Sequence, residues 1–510
     1  MFSKLTFGQK LGVWLGCAIF IVIGGITAIC FQLSKSPPKD MDKLIPSWAH
    51  PKFSSEDAWK ASEKLFTAQI KKYPHRANLY RERGLIRWWL DRKDEAMSDF
   101  NKAIELDPKD YLCLSYRGQL HTHKNEYDDA IRDLDKAIEL EKNDGSLYYQ
   151  RGIAYHWKDK LSEAQKDYEK SLTFDYDKRR VHNALGRVLK KRKELDKAIF
   201  EFQESTKYPE ESSSFSSNAN DSAEESPFSD LIDLLIAKGR IREANDAANA
   251  WLNDTSKEES AYDYSASTAR ALGDSAGLAD AQKKHIAYLD ELIAQEPEEE
   301  DWRLSRARIY LDLNDRVKAM NDFEFVIEKL KKRKSAWINN WLASVYEEAG
   351  QAAKAKDIYA QEIAAVEQKL KKKPGDMTLQ KERAYSYLGM KDYASAIRCF
   401  TAIKNKENKS SVTNGLIDAS LAVGDFQTAL NECKTIPDKN TFYYSRLAEI
   451  YERLGRHADA VEAARKSIAL EETTGSAYYW LGKALGALGQ TEESKLRLQQ
   501  SIAYDYNPSK

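Results

Sequence analysis

Between residues 77 and 208, apolar side chains return at intervals of three and four, and short polar runs such as "DRKD" and "WKDK" interrupt them. That spacing puts the apolar residues on one face of an α-helix, so the pattern predicts helices joined by tight turns. In the stretch Ala77–Asp110 it predicts a first helix over 78–90 and a second over 93–106. Gly84, Gly118, Gly152 and Gly186 follow one another at steps of 34 residues, and Ala96, Ala130, Ala164 and Ala198 stand twelve residues after them. Phe100, Leu134, Tyr168 and Phe202 come four residues later, with Ala103, Ala137, Ser171 and Ser205 three further on. Glycine and alanine fall where two antiparallel helices would cross most closely, and the large residue packs on the same face of the second helix. A single pair of helices cannot bury both of its apolar faces, so a fixed period of this length predicts a stacked array.

The pattern extends further along the chain. Small residues twelve apart recur at Ala307/Ala319, Ala343/Ala355, Ala384/Ala396, Ala448/Ala460 and Gly482/Ser494. About twelve repeats are expected, preceded by a lone helix over 54–72 in the place of a half-repeat. One step is broken. From Ala198 to Ala244 is 46 residues, and the excess lies in "YPEESSSFSSNANDSAEESP", a segment too polar to bury a core. The expected organisation is a first array over 53–208, a flexible Ser-rich and acidic insert over 209–226 and a second array over 227–510.

The N-terminus reads differently. Residues 11–33 carry no charge, and at about 1.5 Å per residue they extend roughly 34 Å, enough to span a bilayer core. A transmembrane signal-anchor helix is expected there, between a short basic stretch (1–10) and a polar, proline-containing stalk (34–52). The lysines on the two sides nearly balance. A short basic N-terminus favours the repeats on the non-cytoplasmic side of a bacterial inner membrane.

The small-residue spacing and the closing segment "AIELDPKD" (103–110) resemble the tetratricopeptide repeat. The resemblance implies an all-α fold, a right-handed superhelical solenoid of antiparallel helix pairs, here preceded by one transmembrane helix. Lys142 and Tyr176 depart from it where the family has a helix-breaking proline. In that family the first helices line a concave groove for peptide segments or partner helices. Carried over position by position, the groove residues are Arg81, Trp88, Ser115, Tyr149, His156, Asn183, Arg187 and Lys190. Aromatics mixed with cations suit segments bearing acidic groups. The chaperone-tail-binding subclass is a poor fit, because its paired Lys and Asn are Arg81 and Leu85 here.

Composition narrows the function. A net charge of −1 lacks the positive field of a nucleic-acid binder. The runs "KLKKRK" (329–334) and "KLKKKPG" (369–375) close expected helices, where cations oppose the negative end of the dipole. Five scattered cysteines make no disulfide framework. His121 and His123, two apart on a helix, point to different faces and make no metal pair. No phosphate-binding loop, HExxH, GxSxG or kinase motif occurs. The expectation is a non-enzymatic scaffold without cofactor or metal, bound to proteins and to a membrane. The alternative is an accessory subunit of a membrane-embedded secretion, pilus or polymer-export assembly.

Overall fold

The computed structural model describes residues 56–208, 226–254, 258–333, 336–405 and 410–506. The expected transmembrane segment and most of the Ser-rich insert lie outside the described residues. Among the described residues there are helices and no strand, and no helix is long and apolar enough to cross a membrane. The chain divides into two compact units, Met1–Pro227 and Phe228–Lys510.

The described residues of the first unit begin with α1 (Glu56–Lys72) and continue as four pairs. These are α2 (Ala77–Trp89) with α3 (Lys93–Leu106), α4 (Tyr111–His123) with α5 (Tyr127–Leu140), α6 (Gly145–Trp157) with α7 (Leu161–Leu172), and α8 (Lys178–Lys191) with α9 (Leu195–Thr206). The turn inside each pair passes through one left-handed residue, at Asp91, Asn125, Asp159 and Lys193, again 34 apart. Asp and Asn tolerate that conformation better than Lys does.

The periodic small residues do what their spacing implies. Ala96, Ala130, Ala164 and Ala198 are fully buried, as are Phe100, Leu134 and Phe202, with Tyr168 almost so. The large residue, rather than the alanine, is what closes over each glycine. A β-carbon on Gly84, Gly118, Gly152 or Gly186 would stand 2.8, 2.9, 2.6 or 2.7 Å from Phe100, Leu134, Tyr168 or Phe202 respectively. Ser171 and Ser205, at the third small position, donate to the carbonyls of Gly145 and Arg179 at the head of the same repeat. They thereby tie the end of the second helix to the start of the first.

A ladder of arginines adds a polar spine. Arg83, Arg117 and Arg151 each fork onto a carboxylate sixteen residues ahead, Asp99, Asp133 and Asp167, at 2.6–2.8 Å. Each also reaches sixteen residues back, to Thr67, Asn101 and Asp135. One guanidinium therefore joins both helices of its own repeat to the preceding second helix. Thr67 lies in α1, so that helix occupies the place of the second helix of a preceding repeat, as the sequence suggested. The three aspartates are buried, and a planar five-donor fork satisfies them where a lysine could not. The fourth repeat has Leu185 and Glu201 at these positions, and His182 pairs with Glu201 at 2.7 Å instead.

The described residues of the second unit form eight pairs. They are α10 (Pro227–Ala237) with α11 (Ile241–Trp251), α12 (Glu259–Leu272) with α13 (Ser275–Gln295), α14 (Glu300–Asp312) with α15 (Arg316–Lys332) and α16 (Ala336–Glu348) with α17 (Ala352–Lys372). Then follow α18 (Met377–Gly389) with α19 (Tyr393–Lys404), α20 (Ser410–Ala422) with α21 (Phe426–Cys433), α22 (Thr441–Arg453) with α23 (His457–Leu470) and α24 (Gly475–Ala487) with α25 (Thr491–Ala503). The basic runs close α15 and α17 as expected, and α17 carries the extra turns that lengthen its repeat. The arginine fork returns here, Arg306 onto Asp322 and back to Asp290.

This unit closes on itself. The Gln500 amide, on α25, donates to the Ile236 and Ala237 carbonyls at 2.7 and 2.9 Å, capping the end of α10. Tyr504 donates to the Asp233 carbonyl, Ser267 of α12 to the Ala503 carbonyl, and Arg270 pairs with Asp505. The last helix of the unit is thus a neighbour of its first three. Helix ends leave orphan carbonyls, and here a side chain from the far end of the chain satisfies them.

Candidate functional site

The expected groove residues lie on α2, α4, α6 and α8, but the structure sets five of the eight inside the unit. Arg81 is buried and donates to Glu82 and to Asp110, whose other carboxylate oxygen accepts from the Cys113 amide at the start of α4. It is a joint between repeats. Trp88 is 1% exposed and meets Phe100 and His123 edge-on, with centroids 6.5 and 5.4 Å away. Ser115 is buried against Gln119. Tyr149 is 4% exposed, its ring 5.8 Å from that of Tyr168 and 5.6 Å from that of Tyr176. Tyr176 stands where the repeat family has proline, and its ring covers Tyr149. The expectation that these side chains lie on a free surface is corrected by that packing.

Asn183 is also buried, at 7% exposure, yet its Oδ1 accepts no hydrogen bond. A buried carbonyl oxygen left unmatched carries an uncompensated desolvation cost.

His156, Arg187 and Lys190 are half-buried near the last turns of α6 and α8. Burial, and then the neighbouring charges of Lys191 and Arg187, push the His156 imidazole down to about 4. At neutral pH it is an uncharged ring, stacked at 6.0 Å on the exposed indole of Trp157. Cations dominate here for a reason visible in the sequence. Residues 178–193, "KRRVHNALGRVLKKRK", contain eight Lys or Arg and no acid. Lys178 pairs with Asp175, Arg180 with Asp177, Lys191 with Asp159 and Arg192 with Glu194, and cations still outnumber acids over residues 178–208. The site that emerges is smaller than the expected row. It comprises His156 and Trp157 at the end of α6 with Arg187 and Lys190 on α8.

Among the described residues no three His, Cys, Asp or Glu side chains could hold a metal ion. His121 pairs with Glu126 instead. Cys113 and Cys433 are buried free thiols, and burial raises both above the usual thiol range, Cys433 to about 11.

The arginine ladder and the Tyr149–Tyr176 contact escaped the sequence reading, although the first carried a signal. Arg83, Arg117 and Arg151 keep the same 34-residue step as the glycines, and so do Asp99, Asp133 and Asp167.

Comparison with known proteins supports the repeat assignment. The family described as tetratricopeptide repeat matches residues 77–110, 443–474 and 475–508, and a second, described as TPR repeat, matches 118–159. The chain carries tetratricopeptide repeats, and each of its two units is built of helical pairs among the described residues. No curated protein matches it. Among solved structures, PilF of Pseudomonas aeruginosa is 16% identical, covering 46% of this chain and 97% of its own, with a TM-score of 0.33. MamA of Desulfovibrio magneticus is 17% identical over 29% of this chain and 85% of its own, at 0.28. Yeast Tom70 is 15% identical over 83% of this chain and 97% of its own, at 0.27. These are likenesses of helical repeats at low identity.

Proposed function

We propose that the chain is a non-enzymatic scaffold, anchored to a membrane by residues 11–33, which holds partner proteins through acidic peptide segments or helices at the end of its first unit. The observation that carries this reading is the run of eight cations without an acid over residues 178–193, on and just after a first helix. Helical repeats offer a long, preformed surface, so little ordering is needed on the scaffold's side when an extended segment binds. Cations steer an acidic segment to that surface, and the exposed Trp157 indole would hold it in register. Steering by charge also predicts binding that weakens with salt.

The test is capture of partners by the full chain from detergent-solubilised membranes, comparing the natural protein with Arg187→Glu/Lys190→Glu. Loss of salt-labile partners with unchanged thermal unfolding supports the scaffold. Equal capture by both proteins overturns it. A stoichiometric, salt-resistant set of partners would instead favour a fixed subunit of a larger membrane assembly.

A further inference from the structure

The seam where the second unit closes borders a half-open cleft of about 550 Å³, walled by α12, α13 and α14 on one side and by α24, α25 and the residues after it on the other. That volume suits a small ligand or a pair of side chains. Its apolar wall includes Leu278, Leu498 and the rings of Tyr479 and Tyr506, whose centroids are 5.6 Å apart.

Its polar groups are unevenly matched. Arg270 is shared between two carboxylates, Asp312 at 2.9 Å and Asp505 at 3.2 Å. The three charges leave one negative charge over, and the Asp312 and Asp505 side chains are 42% and 61% exposed, so their remaining lone pairs are open to an incoming donor. Ser501 is the second mismatch. In three other repeats the equivalent serine (Ser171, Ser205 or Ser467) donates to the carbonyl 26 residues before it, at 2.7–2.9 Å. Ser501 lines the cleft, is 1% exposed and has no hydrogen-bond partner for its Oγ. A buried hydroxyl without a partner is a rare and unfavourable arrangement, which a ligand would relieve.

We propose that this cleft binds a ligand with an apolar body and a single ammonium head, either a small amine or a lysine side chain of a partner. The ammonium would donate to the carboxylates and to the Ser501 hydroxyl, and the tyrosine rings and leucines would cover the apolar part. Because the walls come from both ends of the unit, an occupant would also stabilise the seam.

Titration calorimetry of the full-length chain tests this with three probes: 2-phenylethylamine, its carboxylate counterpart phenylacetate, and a short capped peptide bearing one internal lysine. At least one ammonium probe should saturate at one per chain, and phenylacetate should not. Asp505→Asn should weaken the response by about tenfold, the loss expected for one hydrogen bond to a charge. Leu278→Trp, which fills the space without touching the charged groups, should abolish it. Circular dichroism establishes that both variants fold, and Asp312→Asn replaces Asp505→Asn if that variant does not. A response to the amine alone marks a small-molecule site and a response to the peptide alone a partner's lysine, and either sustains the proposal. Failure of both ammonium probes, equal binding of phenylacetate, or unaltered binding by a folded Leu278→Trp overturns it.

Discussion

The ring of Tyr168 closes over Gly152 so tightly that a β-carbon there would lie 2.6 Å from the ring's Cε1. The same pairing holds the other three helix pairs of the first unit together. The second unit repeats it at Gly482 under Leu498 and in other repeats uses alanine, as in Ala307 before Phe323 and Ala384 before Phe400, all fully buried.

One methyl group is therefore a tolerable intrusion and a larger side chain is not. Gly152→Ala gains helix propensity but must displace a buried ring, and a net loss of about 1 kcal/mol is expected. Gly152→Leu should cost about 3 kcal/mol or unfold the repeat outright. Chemical denaturation of the two variants checks the order, and a Gly152→Leu protein as stable as the natural one would contradict the packing.

Arg151 presents a different kind of dependence. Replacing it with methionine leaves the buried Asp167 without its forked partner, and losses of about 3–5 kcal/mol follow the removal of one member of a buried ion pair. Arg151→Met with Asp167→Leu should recover most of that loss, because the stranded charge is gone. A double-mutant cycle measures the recovery. If the single variant unfolds like the natural protein, the ladder contributes no stability.

Tyr149 was expected on the surface and is in the core, so Tyr149→Ala should weaken folding by about 3 kcal/mol, as for other buried aromatics. Thermal unfolding distinguishes this from a surface role, which would leave the transition where it was. Tyr149→Phe should change little, since the ring is what packs.

His156 makes stability depend on pH. Its imidazole titrates near 4 in the fold and near 6.5 in an unfolded chain. Between those values the unfolded state binds the extra proton, so this contribution is complete above about pH 6.5 and is lost as the pH falls towards 4. His156→Gln should flatten that part of the curve. Denaturation midpoints of the two proteins at neutral pH and near pH 4.5 make the comparison, and parallel declines would rule the histidine out.

The seam of the second unit has its own readout. Gln500→Leu removes the donor to two carbonyls, and buried acceptors left unmatched cost about 1–3 kcal/mol. Hydrogen exchange should quicken in α10 and α12, which are remote in sequence, and stay unchanged in α22. Exchange that rises only within α25 would show that the contact holds nothing.

How much of this was legible depended on the range of the contacts. Gly84 under Phe100 is a relation within one repeat and recurs at every step, so spacing alone revealed it. The burial of Tyr149 depends on Tyr176, a departure from the repeat pattern, and a rule carried over from the family places the fifth residue of the first helix on the surface. The pairing of Arg151 with Asp167 and Asp135 could have been found, because its partners lie sixteen residues away on either side. Nothing periodic announces that Gln500 reaches Ile236. The candidate site was half legible for the same reason: the cations of residues 178–193 are a local feature, whereas the depth of Asn183 depends on packing between helices.

That long contact also bears on how the protein is made. In an ordinary repeat array each helix pair finds its neighbours soon after it is synthesised, and folding spreads along the chain as it grows. In the second unit the carbonyls of Ile236 and Ala237 wait for Gln500, which leaves the ribosome more than 260 residues later. At about 5–20 residues per second that interval is tens of seconds, long compared with helix formation. The opening helices of this unit are born with an unfinished edge, and a chain that ends early leaves them in that state permanently.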